Sequence, residues 1–190
     1  IHTYHTVYED YTHYFSPSRS MGRKMAALFT RMICASCDAV IAPTPKISLL
    51  LAGYGVHCPV RIIPTGLDLQ RFAVPRDDAL RKQLGLPPQE ENKTVLLSLG
   101  RLAKEKNMTE LIKAMQQLPD AVLLIVGDGP ERAALEQQAQ TLHVADRVIF
   151  AGAVPPAEVP RCYALGDVFV SASTSEAQGL TYIEAMAAGL

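Results

Sequence analysis

No apolar run in this chain approaches the ~20 residues that cross a bilayer; stretches such as 95–99 and 121–127 are far too short, so a membrane-spanning segment is not expected. An excess of one charge is missing too. Eighteen basic residues face nineteen acidic ones, a formal net charge of −1, so no whole-protein field draws polyanions and nucleic acid is not an expected partner. Cysteine is sparse at four, which excludes a disulfide-dense scaffold. Cys34 and Cys37 form a CxxC, yet Cys58 and Cys162 stand apart and no second CxxC or HxxxH completes a zinc set. The pair reads as buried thiols in a reducing, cytosolic compartment. No strand is followed by GxGxxG, and GxxxxGK[ST] is absent, which argues against a standard dinucleotide fold and excludes a P-loop. Asp-x-Asp is absent as well, so no metal site is expected. An initiator Met and signal-peptide features are also lacking, and the chain closes on a helical pattern over 184–190; a piece of a longer protein is expected.

What is present is an ordinary globular composition, 48% hydrophobic and 19% charged, enough for one large domain or parts of two. The halves differ. Through Ile63, six basic residues (19, 23, 24, 31, 46 and 61) face Glu9, Asp10 and Asp38, a surplus of three; the remainder, with twelve basic and sixteen acidic residues, has a deficit of four. In the basic part, Arg19, Arg23, Lys24 and Arg31 alternate with Met21, Met25, Leu28, Phe29, Met32 and Ile33, whose helical spacing gathers the apolar set mainly on one face. Two readings stay open: a domain helix with its polar side in water, or a helix that also touches anionic lipid. A strand over 39–42, a helix over 47–54 and a strand over 60–63 follow, and Pro64-Thr65-Gly66 marks a domain boundary near Pro64. The expected domains are 1–63 and 64–190.

Beyond the boundary, strands over 94–99, 121–126, 147–150 and 167–171 alternate with helices over 107–118, 130–142, 155–165 and 179–188. Continuous apolar strands between amphipathic helices predict an α/β domain with a doubly wound parallel sheet. Ligands bind such sheets outside the carboxyl ends of the strands, at a topological switch point. After the first strand come Gly100-Arg101 and then Lys106-Asn107, two cations at a strand end beside a helix start; they suit a diphosphate or, equally, a solvated loop. Gly127-Asp128-Gly129-Pro130 reads as a tight strand-to-helix turn. The last loop carries Glu176, then a helix from Gly179 that bears Glu184. The free N–H groups of Gly179, Leu180 and Thr181 point at anything held above that helix start.

The Glu176/Glu184 pair inside EAQGLTYIEAMAAGL resembles the glutamate signature of glycosyltransferase family 4, and PTGLD, GRLAKEKN and VGDGP stand in that family's order and spacing. Ala177-Gln178 departs from the Gly-Phe or Pro-Phe of many members. The resemblance covers 60–190 and implies a retaining enzyme of GT-B architecture: a Rossmann-like nucleotide-sugar domain, incomplete at its C-terminus, preceded by the last part of a Rossmann-like acceptor domain. It implies that Arg101 and Lys106 neutralise the donor diphosphate, that Glu184 binds the ribose, that Glu176 sits beside the transferred hexose, and that the amides of Gly179, Leu180 and Thr181 touch hexose hydroxyls and phosphate. Residues 1–14 resemble the matching stretch of Gram-positive diacylglycerol glucosyltransferases, in which His5 ends an inner strand and faces the donor sugar.

The activity so implied moves glucose from UDP-glucose to a lipid such as diacylglycerol, with retention, no cofactor and no divalent metal, at the anionic inner face of the cell membrane. The rival readings are a family 4 enzyme with a polysaccharide or soluble acceptor, and, for these 190 residues alone, a nucleotide-sugar-binding module with weak or no turnover.

Overall fold

The structure, a computed structural model, describes residues 1–14 and 18–190; the side chains of His13, Tyr14, Arg19 and Glu90 lie outside the described residues, and with them Arg19's expected part in the basic helix. Two compact units are present. The first comprises Ile1–Gly66 with the short segment Thr174–Gly179, the second Leu67–Ser173 with Leu180–Leu190. The division therefore falls three residues beyond the expected one, and Glu176, expected in the second domain, packs with the first unit. The reason is local: the Thr65 N–H donates to Gln178 Oε1 at 2.9 Å and its carbonyl accepts from Gln178 Nε2 at 3.2 Å.

In the first unit, β1 (His2–Thr3), α1 (Arg19–Ala35), β2 (Val40–Ala42), α2 (Pro45–Gly53) and β3 (Val60–Ile62) follow in order. The strands form a parallel sheet ordered β1-β2-β3. Helix α2 begins two residues earlier than its apolar pattern suggested. Thr44 Oγ1 accepts from the Ile47 N–H at 3.3 Å and Pro45 supplies a preset φ at the first helical position. Tyr4, Val7, Cys34, Val40, Ala42, Ile47 and Leu51 make the core.

Helix α1 does not bury its large apolar side chains. Gly22, Ala26, Thr30 and Cys34, four residues apart, are the buried stripe; small side chains let the helix lie close to its neighbours, and Tyr4 and Thr30 share a hydroxyl contact of 3.4 Å. Met21, Met25, Leu28, Phe29 and Met32 are all at least half exposed. The cationic side is tied down at one point: Arg23 pairs with Glu9 at 3.0 Å, and the Tyr54 hydroxyl donates to the same carboxylate at 2.9 Å.

The second unit contains α3 (Asp78–Gln83), β4 (Thr94–Leu99), α4 (Met108–Ala114), β5 (Ala121–Val126), α5 (Arg132–Thr141), β6 (Val148–Gly152), α6 (Val159–Tyr163), β7 (Val168–Phe169) and α7 (Leu180–Ala187). Its four strands are parallel in the order β6-β5-β4-β7. All six residues of β5 are buried. Alternate side chains feed two cores: Val122, Leu124 and Val126 join Cys162, Tyr163 and Ala185 on one face, while Ala121, Leu123 and Ile125 join Met108, Ile112, Leu135 and Ala139 on the other. A strand covered on both faces has no polar side, which is why it reads as an unbroken apolar run. The sheet is doubly wound, with α4 and α5 on one face and α6 and α7 on the other. Several elements are shorter than the sequence expectation. The helix expected over 107–118 is α4 followed by a 3-10 turn, Met115–Gln117, and β7 is a two-residue edge strand that Val170 extends by donating to the Leu97 carbonyl at 2.8 Å.

Candidate functional site

From β4 the chain steps outward through β5 and β6, then returns to the other side of β4 to form β7. The strand order reverses between β4 and β7, which is the switch point where open α/β sheets bind ligands. The loop after β4 and the segment after β7 therefore leave the sheet side by side. Ser173 Oγ donates to the Glu105 carbonyl at 3.4 Å, joining them.

The loop after β4 is braced from below by the VGDGP turn. Leu102 N–H donates to the Asp128 carbonyl at 3.0 Å, and Glu131 N–H donates back to the Leu102 carbonyl at 3.0 Å. Gly127 has φ +136°, and a Cβ there would lie 1.9 Å from the Gly100 carbonyl oxygen; a Cβ at Gly129 would lie 2.3 Å from that of Leu102. These glycines serve close approach of two backbones. The brace leaves Arg101 exposed and Lys106 half-buried at the end of a 3-10 turn, Lys104–Lys106, just before α4. Between the two lysines, Glu105 is 5% exposed. Sequence reading overlooked it, since nothing in KEK distinguishes a buried acid from a solvated one.

Helix α7 starts at Leu180, directly after Gly179, whose φ of +72° is the left-handed conformation glycine adopts freely. Leu180 and Thr181 thus occupy the first helical positions, where N–H groups have no partner within the helix. About one turn on, Glu184 accepts a 2.8 Å hydrogen bond at Oε2 from the hydroxyl of Tyr163, which also reaches the Thr181 carbonyl at 3.2 Å. Tyr163 is fully buried. Burial first, and the bond to Glu184 second, push its phenol well above the usual tyrosine range. It fixes one carboxylate oxygen and leaves the other for a hydroxyl donor. Tyr163 was not legible in the sequence: it lies on α6, and neither spacing nor motif connects it with Glu184.

Arg101, Lys106, Leu180, Thr181 and Glu184 all belong to the second unit, on loops and a helix that leave the carboxyl side of β4 and β7. Gly179, Glu176 and His5 belong to the first. Glu176 is half-buried in a segment pinned by α2: Thr44 Oγ1 donates to the Ala177 carbonyl at 3.0 Å and Lys46 Nζ to the Glu176 carbonyl at 3.1 Å. The Ala177-Gln178 departure gains a role, because Gln178 is the side chain that clips Thr65. His5 differs from its expected placement. Strand β1 ends at Thr3 and stands at the edge of the described sheet, and His5 is an exposed residue of the following loop. Among the described residues no cluster of His, Cys, Asp or Glu has metal-binding geometry, and no helix is long and apolar enough to cross a membrane.

Two family models match the chain: "Glycosyl transferases group 1" over residues 79–190 and "Glycosyltransferase Family 4" over residues 1–71. An alpha-monoglucosyldiacylglycerol synthase of Streptococcus pneumoniae is 42% identical across the whole chain, which covers 44% of that protein. The enzyme of the same name from Acholeplasma laidlawii is 33% identical, with 50% of it covered. Among solved structures, a sucrose-phosphate synthase from Thermosynechococcus elongatus aligns over 99% of this chain and 48% of its own, with TM-score 0.80 and 30% identity. Anabaena HepE, solved in complex with UDP and glucose, aligns over 98% of this chain and 50% of its own, with TM-score 0.80 and 26% identity. The chain thus spans about half the length of the curated relatives it matches, and its parallel α/β fold is of the GT-B type.

Proposed function

The chain belongs to the glycosyltransferases of group 1 and family 4, and from that membership we propose that the full-length protein moves glucose from UDP-glucose to diacylglycerol, with retention, at an anionic membrane surface. The observation that carries the donor half is the β4/β7 reversal, which sets the Arg101 and Lys106 loop beside the segment that leads towards Glu184. As the glycosidic bond breaks, negative charge grows on the departing diphosphate while the sugar becomes oxocarbenium-like. Fixed cations and the first amides of α7 stabilise that charge more than they stabilise bound donor, which lowers the barrier. The scheme uses no cofactor and no divalent ion. Glu184, positioned by Tyr163, accepts from the ribose hydroxyls. Glu176 and His5, carried by the first unit, are assigned to the transferred hexose on family resemblance alone.

Two features support the lipid acceptor and peripheral placement on the inner membrane face. Relatives at 42% and 33% identity carry the name alpha-monoglucosyldiacylglycerol synthase. The half-exposed row of Met21, Met25, Leu28, Phe29 and Met32 lies on a helix that has Lys24 and Arg31 exposed and no acidic residue. Apolar side chains between cations suit the boundary between acyl chains and anionic headgroups.

The full-length protein incubated with labelled UDP-glucose and diacylglycerol vesicles is expected to yield labelled glucolipid; transfer only to a water-soluble sugar would replace the lipid reading. Arg101→Ala and Lys106→Ala are each expected to weaken UDP binding about tenfold or more, as loss of a charge-assisted phosphate contact predicts. Unchanged affinity in titration calorimetry would remove their assigned role.

A further inference from the structure

The second unit carries a cationic cavity that the transfer reaction does not use. It measures 260 Å³ and is lined by Arg76, Arg81 and Lys93, with Asn92 and Thr94 beside them. Thr94 opens β4, and Asp167, the acid on the wall, directly precedes β7. The cavity therefore lies at the amino ends of the strands, a six-residue strand or roughly 20 Å from Arg101.

Its charges are unequally matched. Asp167 is engaged on both oxygens, Oδ1 by the guanidinium of Arg76 and Oδ2 by the Val95 N–H at 2.8 Å. Burial alone would raise its carboxyl, but the Val95 N–H, the Arg76 pair and the nearby charges of Arg76 and Arg81 outweigh it and hold the group below the usual carboxylate range. Asp167 is thus an anion already committed. Lys93 meets Glu91 at 3.7 Å, with both side chains more than a third exposed, a weak pair.

Arg81 is the unusual member. It is 7% exposed; Nε donates to the Pro87 carbonyl at 2.7 Å, yet Nη1, shut off from solvent, has no hydrogen-bond partner among the described residues. A buried guanidinium N–H without an acceptor is costly. Arg81 also lines the cavity, so a small rotation of its guanidinium would present that N–H to an acceptor bound there.

We propose that this cavity binds a phosphate group, either inorganic phosphate or a small phosphomonoester. Arg76, Arg81 and Lys93 stand against Asp167 and the weakly held Glu91, a surplus of one positive charge that favours an anion. The planar Arg81 fork suits tetrahedral oxygens, while the Thr94 hydroxyl and the Asn92 side-chain amide supply further donors. The volume is several times the ~30 Å³ share of one water molecule in the liquid, room for a phosphate with a small substituent.

The test uses the full-length protein held with saturating UDP, so that donor-site binding is already satisfied. Inorganic phosphate and glycerol phosphate are titrated separately by calorimetry, and hydrogen exchange maps the response. The expected result is saturable binding of at least one of them, with slowed exchange over residues 76–94 and none over 100–107; the tighter of the two identifies the source. Arg81→Gln should weaken binding about tenfold and Lys93→Gln by a smaller factor. Where Arg81→Gln fails to fold, Lys93→Gln and Asn92→Ala, both away from the core, carry the test. Absence of saturable binding, protection confined to 100–107, or unchanged affinity in the folded variants overturns the proposal.

Discussion

Tyr163 contributes to the candidate site through Glu184 rather than by contact with substrate, and its removal separates packing from positioning. Phenylalanine fills the same volume, so Tyr163→Phe is expected to cost only about 1 kcal/mol of stability, the worth of an ordinary hydrogen bond. UDP affinity should fall about three- to tenfold as Glu184 loses its fixed orientation. Calorimetry beside a thermal melt checks both. The same tyrosine has a pH consequence. Burial raises Tyr163 and Cys162 above their ordinary ranges, so the folded unit keeps protons that the unfolded chain releases as pH climbs past about 8.5 for cysteine and 10 for tyrosine. Their contribution to stability is complete below those values and declines above them. Urea midpoints should therefore fall through the alkaline range, and less steeply in Tyr163→Phe; a flat profile would contradict the assignment. At this scale the sequence marked Arg101, Lys106 and Glu184 as candidates, because each sits within a local motif. Tyr163 and Glu105 were hidden because a phenol on another helix and a buried acid in a basic turn acquire meaning only through distant packing.

At the scale of elements, α1 and the VGDGP turn make opposite demands on their sequences. The buried stripe of α1 is small, so Ala26→Leu should overpack it and cost about 1–3 kcal/mol. Paired Met25→Ser and Met32→Ser changes on the exposed row should shift stability by about 1 kcal/mol or less while weakening sedimentation with anionic vesicles. Binding of the unaltered protein should itself weaken as salt rises. Sedimentation indifferent to those substitutions would take the membrane role from this helix. Gly127→Ala meets the Gly100 carbonyl at 1.9 Å and is expected to cost roughly 2 kcal/mol or more, seen as a lowered melting temperature. Helical periodicity found α1 and gathered its large apolar residues on one face but left two readings of that face open, because spacing reports that apolar residues cluster and not which partner they meet.

At the scale of the whole molecule, the 190-residue chain covers about half of its relatives. It is expected to bind UDP, since five of the eight candidate residues fall within the second unit, and to turn over little or no UDP-glucose. A labelled-glucose assay against the full-length protein checks this, and equal rates per molecule would show that the remaining half is dispensable. Sequence alone determined the alternation of strands and helices, the doubly wound second unit and the family, because continuous burial and tight backbone turns leave local marks in residue type. Tertiary structure alone decided that β7 returns beside β4, that residues 174–179 pack with the first unit, that α1 turns its large apolar side chains outward, and that Tyr163 holds Glu184. Each depends on which distant surfaces meet, and the pattern within any single segment is compatible with more than one such meeting.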